Sequence, residues 1–134
     1  MPKKILLVED NPGIRTNLAS FLRAACYRVS EASNGKEAIE LLQKEKEKVN
    51  LVLSDIVMPE FSGFSILQHV RLVRPEIPVM LMSGFLFNPQ HILKQGAADF
   101  VTKPIVLSDL LSKLELVLKE RRIQQFGEFR RAGT

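Results

Sequence analysis

Apolar and polar positions fall into blocks along the chain, and the blocks predict five strands, each followed by a helix. Ile5, Leu6, Leu7 and Val8 form an unbroken apolar run after Lys3-Lys4, the pattern of a strand buried on both faces. Ile14, Leu18, Phe21, Leu22 and Ala25 then recur at helical spacing behind Asn11-Pro12, an N-cap and first-turn pair. Tyr27 to Ala32 reads as a second strand, and Asn34-Gly35 as a turn. Ala38, Ile39, Leu41 and Leu42 form a second amphipathic helix, which ends in a charged, solvated run over 44–48. Leu51 to Ser54 is a third strand, and Phe64, Ile66, Leu67, Val70 and Val73 a third helix closed by Pro75. Pro78 to Met82 is a fourth strand. Asn88-Pro89 opens a short fourth helix that Gly96 stops. Asp99 to Thr102 is a fifth strand. Leu107, Leu110, Leu111, Leu114, Val117 and Leu118 make a fifth helix, expected to run to about Arg122. Strand then helix, five times over, predicts an α/β fold: a doubly wound parallel sheet with helices on both faces.

The polar residues that end the strands sharpen this picture. The first strand ends in Glu9 and Asp10, the third in Asp55, the fourth in Ser83 and the fifth in Lys103. The second ends in Ala32-Ser33, with no comparable group. Open α/β sheets bind ligands beyond the carboxyl ends of their strands, and in the flavodoxin-like order the second strand lies at an edge. That order brings three carboxylates, one hydroxyl and one ammonium around one crevice. Two unit charges ~4 Å apart cost about 4 kcal/mol at an effective dielectric of about 20. A cation must offset this, or the site must take up protons. Oxygen ligands with room for water suit Mg²⁺. A carboxylate nucleophile beside Mg²⁺, facing a lysine and a serine, describes phosphoryl transfer onto aspartate. A purely stabilising role for Lys103 does not explain why acids are gathered at a strand mouth.

Composition narrows the setting. A chain of 134 residues, 46% hydrophobic and 25% charged, fits one domain with a proper core. No stretch approaches the ~20 apolar residues that span a bilayer, and the N-terminus lacks a signal peptide's long apolar region. The single cysteine, Cys26, allows no internal disulfide and is expected to fill space as a small apolar residue near a helix end. A cytoplasmic chain is expected. The formal charge of +4 is uneven: from Lys119 onward five basic residues (Lys119, Arg121, Arg122, Arg130, Arg131) face two acids (Glu120, Glu128), which accounts for +3. The chain is therefore expected to divide into a domain over 1–122 and a basic C-terminal tail or linker over 123–134, with Leu114 to Arg131 left open as an extended fifth helix, a dimerisation segment or the start of a linker.

Five short motifs, in order, carry a resemblance: Val8-Glu9-Asp10-Asn11, Asp55-x-x-Met58-Pro59, Ser83-Gly84, Gly96-Ala97-x-Asp99-Phe100 and Lys103-Pro104. Together they resemble the receiver domain of two-component response regulators over about residues 3 to 120. The resemblance implies the chemotaxis-type, flavodoxin-like strand order 2-1-3-4-5. It implies Asp55 as phosphoacceptor. Glu9, Asp10, Asp55 and the Val57 carbonyl are implied as ligands of Mg²⁺, and Lys103 as the phosphate-pairing lysine. Ser83 and Phe100 are the implied switch pair, acting on a face formed by the fourth helix, fifth strand and fifth helix. It further implies a cis Lys103–Pro104 bond. The phosphoryl donor would be a sensor histidine kinase or phosphotransfer protein in a phosphorelay, and the signalling face would take a second copy or a downstream protein. Ser62 stands where the family often has Asp; either caps a helix. Val57 and Phe85 are apolar where some relatives place polar groups near the attacking water, and Phe85 and Phe87 are expected to be exposed or nearly so.

Two other functions compete. A phosphatase-type enzyme with an aspartyl intermediate usually carries a second acid two residues after its nucleophile, where this chain has Val57. A nucleic-acid binder would use the basic tail, but that tail has only Phe126 and Phe129 as aromatics and no helix-turn-helix after it. His69 and His91 lie on different predicted helices without ligand spacing and are read as helix-surface residues. No membrane partner is expected.

Overall fold

The computed structural model describes the backbone of residues 2–44, 48–84 and 87–132, and side chains as far as Glu120. The elements alternate as the apolar blocks require: β1 (Lys4–Val8), α1 (Pro12–Ala24), β2 (Arg28–Ala32), α2 (Gly35–Lys44), β3 (Leu51–Asp55), α3 (Gly63–Val73), β4 (Val79–Ser83), α4 (Pro89–Lys94), β5 (Asp99–Thr102) and α5 (Leu107–Ala132). The strands form one sheet, ordered β2-β1-β3-β4-β5, and every neighbouring pair is parallel. This is the flavodoxin-like order that the resemblance implies. β3 and β4 are buried at every position, as central strands covered on both faces must be.

Side chains alternate across the sheet and build two apolar layers. Leu6, Val8, Val52 and Leu81 join Leu42, Ile66, Leu67, Val70 and Ile92 from α2, α3 and α4. Ile5, Leu7, Leu51, Leu53, Met80 and Met82 join Leu18, Leu22, Leu110, Leu114 and Val117 from α1 and α5. Among the described residues, no helix is long and apolar enough to cross a membrane.

α5 runs on through Arg122 to Ala132, the extended-helix course among those left open for this stretch. Two details differ from expectation. Cys26 is exposed, not an apolar filler. It sits at φ 73° one residue past the α1 cap, where the Cys26 amide donates to the Arg23 carbonyl (3.0 Å) and the Tyr27 amide to the Leu22 carbonyl (3.1 Å). That pair of bonds closes the helix and points the thiol outward. Phe87 is half-buried, not exposed: its ring meets that of Phe64 edge-on at 5.8 Å, against the α2–α4 layer. Phe85 and the charged positions 45–47 lie outside the described residues.

Candidate functional site

The sheet delivers the polar residues to one end. Asp55 is the last residue of β3 and Ser83 the last of β4, while Glu9 and Lys103 follow the ends of β1 and β5. Backbone bonds fix these ends. The Glu9 amide donates to the Ala32 carbonyl (3.1 Å), the Ile56 amide to Met82 (3.0 Å) and the Lys103 amide to Ser83 (2.7 Å). The loop after β3 is drawn in tightly, with the Gly63 amide donating to the Ile56 carbonyl at 2.8 Å. A Cβ on residue 63 would run into the Asp55 carbonyl oxygen, so glycine is required there. Ser62 caps α3 by accepting from the Ser65 amide at 3.3 Å.

Lys103 reaches into this mouth. Its Nζ donates to Asp55 Oδ2 at 2.8 Å and stands 3.6 Å from Glu9 Oε2. The Lys103–Pro104 bond is cis. Asp55 and Glu9 are buried and Asp10 is exposed, and carboxylate oxygens of all three lie within 4.8 Å of one another. Ser83 is buried at the β4 end, one residue past the Met82 that pairs with Asp55, and Val57 lies in the loop beyond Asp55 with its side chain exposed. Phe100 is half-buried in β5 and packs on the α2–α4 layer.

The electrostatics are unbalanced. Glu9 Oε1 accepts from the Asn11 amide at 3.4 Å, but Oε2 has no hydrogen-bond partner among the described residues. Burial, and then the Asp55 charge, push the Glu9 carboxyl up to about 7, against the opposing pull of Lys103. Burial by itself would lower the Lys103 ammonium, but its hydrogen bond and charge contact with Asp55, and the nearby Glu9, outweigh that and raise it. One cation thus serves two buried acids and leaves one buried oxygen without a donor. This donor set, all hard oxygen, fits a divalent cation of the Mg²⁺ type.

A family model for the response regulator receiver domain matches residues 5–115. The chain belongs to that family. This receiver domain is 38% identical over 111 residues to the two-component response regulator ORR3 of Oryza sativa, covering 79% of this chain and 83% of the relative. It is 36% identical over 121 residues to the 3',5'-cyclic-nucleotide phosphodiesterase regA of Dictyostelium discoideum, covering 87% of this chain but only 15% of regA. It spans 18–25% of the length of three Arabidopsis thaliana two-component response regulators. The solved chemotaxis protein CheY4 of Vibrio cholerae superposes with a TM-score of 0.79 at 29% identity, covering 87% of this chain and 99% of that one. Receiver domains are signalling domains rather than conventional enzymes, and the phosphodiesterase name belongs to regA.

One residue of the receiver domain escaped the motif reading. Lys113, on α5, donates to the Phe100 carbonyl at 2.9 Å and lies 5.1 Å from the centre of the Phe100 ring. Its only trace in the sequence is Asp109, one helical turn earlier, which it pairs at 3.5 Å.

Proposed function

We propose that this receiver domain is the phosphoacceptor switch of a cytoplasmic two-component phosphorelay, with Asp55 as the residue modified. The observation that carries the reading is the 2.8 Å contact between Lys103 Nζ and Asp55, beside a buried Glu9 oxygen with no hydrogen-bond partner among the described residues. An Asp55 oxygen attacks the phosphorus of a phosphohistidine on a sensor kinase or phosphotransfer protein. The new phosphorus–oxygen bond forms as the phosphorus–nitrogen bond breaks, and the imidazole leaves with its electron pair. Glu9, Asp10, Asp55 and the Val57 carbonyl would hold Mg²⁺, which when bound supplies positive charge to the phosphoryl oxygens. Lys103 pairs with a further phosphoryl oxygen, and the Ser83 hydroxyl donates to another. The Phe100 ring follows Ser83, and the change reaches a second copy or a downstream protein through the α4–β5–α5 face.

The test is intact mass after incubation with acetyl phosphate and Mg²⁺. Wild type gains one phosphoryl group and Asp55→Asn gains none; equal uptake by both would reject Asp55. The lifetime of the modified state follows from the loop. Val57 has no side-chain group to hold an attacking water, so decay is slow. Replacing Val57 with Asn and Phe85 with Glu speeds phosphate release, and unchanged release would place water control elsewhere.

A further inference from the structure

β5 is an edge strand, open on the side away from β4. The Phe100 ring packs on the layer shared with α2, α3 and α4, whereas α5 buries Leu110, Leu114 and Val117 in the opposite layer. Lys113 spans the two. Its alkyl stem reaches from α5 around the open edge, a route suited to a side chain with an apolar body and a charged tip. The ammonium then meets three groups: the Phe100 carbonyl at 2.9 Å, the ring centre at 5.1 Å and Asp109 at 3.5 Å.

These contacts differ in what they follow. The carbonyl belongs to a strand held by β4, with the Lys103 amide bonded to the Ser83 carbonyl at 2.7 Å. Asp109 lies on the same helix as Lys113. Only the ring contact depends on the Phe100 side-chain torsion. Any rotation that carries the ring away from the edge breaks that contact while leaving the other two intact.

We infer that Lys113 is a positioning residue for Phe100: it biases the ring toward its present place and is loosened when the ring leaves. Ring position on one face of the sheet thereby sets how many of its three contacts hold the cation on the α5 surface. The inference rests on reading Phe100 as the mobile ring of the switch. A contact of this kind at a partly exposed site biases the ring equilibrium about two- to five-fold. A ligand that favours the displaced ring has that much less to overcome once Lys113 is gone.

The experiment follows the aromatic resonances of the full chain carrying ¹³C-labelled phenylalanine, with the Phe100 signal assigned through Phe100→Leu. Spectra are taken without ligand and with beryllofluoride plus Mg²⁺. In the ligand-free state Lys113→Met moves the Phe100 signal toward its beryllofluoride position, corresponding to a two- to five-fold gain in the displaced ring. Lys113→Arg, which keeps a cation over the ring, restores the wild-type signal. Lys113→Gln serves if the methionine variant does not fold. A ligand-free Phe100 signal that is the same in wild type and in the neutral variants overturns the inference. Phosphoryl uptake from acetyl phosphate separates the two readings. A wild type that takes up phosphate while the neutral variants leave the ring unmoved overturns the Lys113 role alone. A ring that moves in a chain whose Asp55 takes up no phosphate upholds the Lys113 role and overturns the phosphoacceptor reading.

Discussion

Two glutamates at neighbouring strand ends meet opposite fates. Glu9 follows β1 and Glu37 lies in the first turn of α2, just beyond β2; Val8 and Ala32 are paired directly across the two strands. Glu37 Oε2 accepts from the Ser33 amide at 3.1 Å and the Ser33 hydroxyl at 2.7 Å, and its own amide donates to Asn34 Oδ1 at 2.8 Å. Donors gathered around the charged form lower its pKa. Glu9 has the reverse surroundings, burial and a second carboxylate, and is raised to about 7. The Glu37 turn is a satisfied helix start of the capping-box kind, complete within the chain. The Glu9 mouth gathers acids that could hold a cation. The contrast separates a carboxylate satisfied by its own turn from one pressed against another acid.

The sharpest way to break the comparison is to remove an acid from the mouth. Asp10→Ala abolishes Mg²⁺ binding and phosphoryl uptake while the fold persists; titration of Mg²⁺ against amide resonances, with intact mass, checks both. Uptake at the wild-type rate would remove Asp10 from the metal site. Next in size, Glu9→Gln relieves the buried charge and raises metal-free stability at pH 8 by about 1–3 kcal/mol, since each unit of pKa shift is worth about 1.4 kcal/mol. Urea unfolding in chelator measures it, and a loss of stability would mean that Glu9 is well partnered after all.

The same contrast has a pH signature. With its folded pKa raised, Glu9 keeps its proton in the native state after the unfolded chain has released it. Metal-free stability therefore falls as pH rises from about 4.5 to about 7. Glu37 is shifted the other way: its contribution is present above the unfolded value of 4.5 and is lost as pH falls through the lower folded one. Melting temperature against pH in chelator resolves the two windows, and Glu9→Gln flattens the upper one. The smallest effect is Glu37→Ala, a loss of about 0.5–1 kcal/mol that leaves Mg²⁺ affinity unchanged and vanishes in acid. A matching loss of Mg²⁺ affinity would tie the two strand ends together.

What the sequence made legible was the part written in local pattern. Apolar runs such as Leu51–Leu53 mark buried strands, and the polar residues within two positions of each run's end mark the mouth, so Asp55, Glu9, Ser83 and Lys103 could be placed there from pattern alone. The misreadings involve contacts that no period carries. Phe87 looks exposed in the loop after β4 until Phe64, on α3, meets its ring. Cys26 looks apolar until the chain turns left-handed beneath it. Lys113 looks like one more surface lysine on an amphipathic helix, because its partner is thirteen residues away on an edge strand.

That left-handed turn has a practical side. The chain holds one cysteine, and the α1 closure presents its thiol to solvent just before β2 begins. All strands run the same way, so this thiol stands at the end of the sheet opposite the carboxylate mouth. A maleimide fluorophore or spin probe would therefore attach at a single known point, a full strand length from the chemistry. It would offer a fixed origin from which movements at the other end could be ranged.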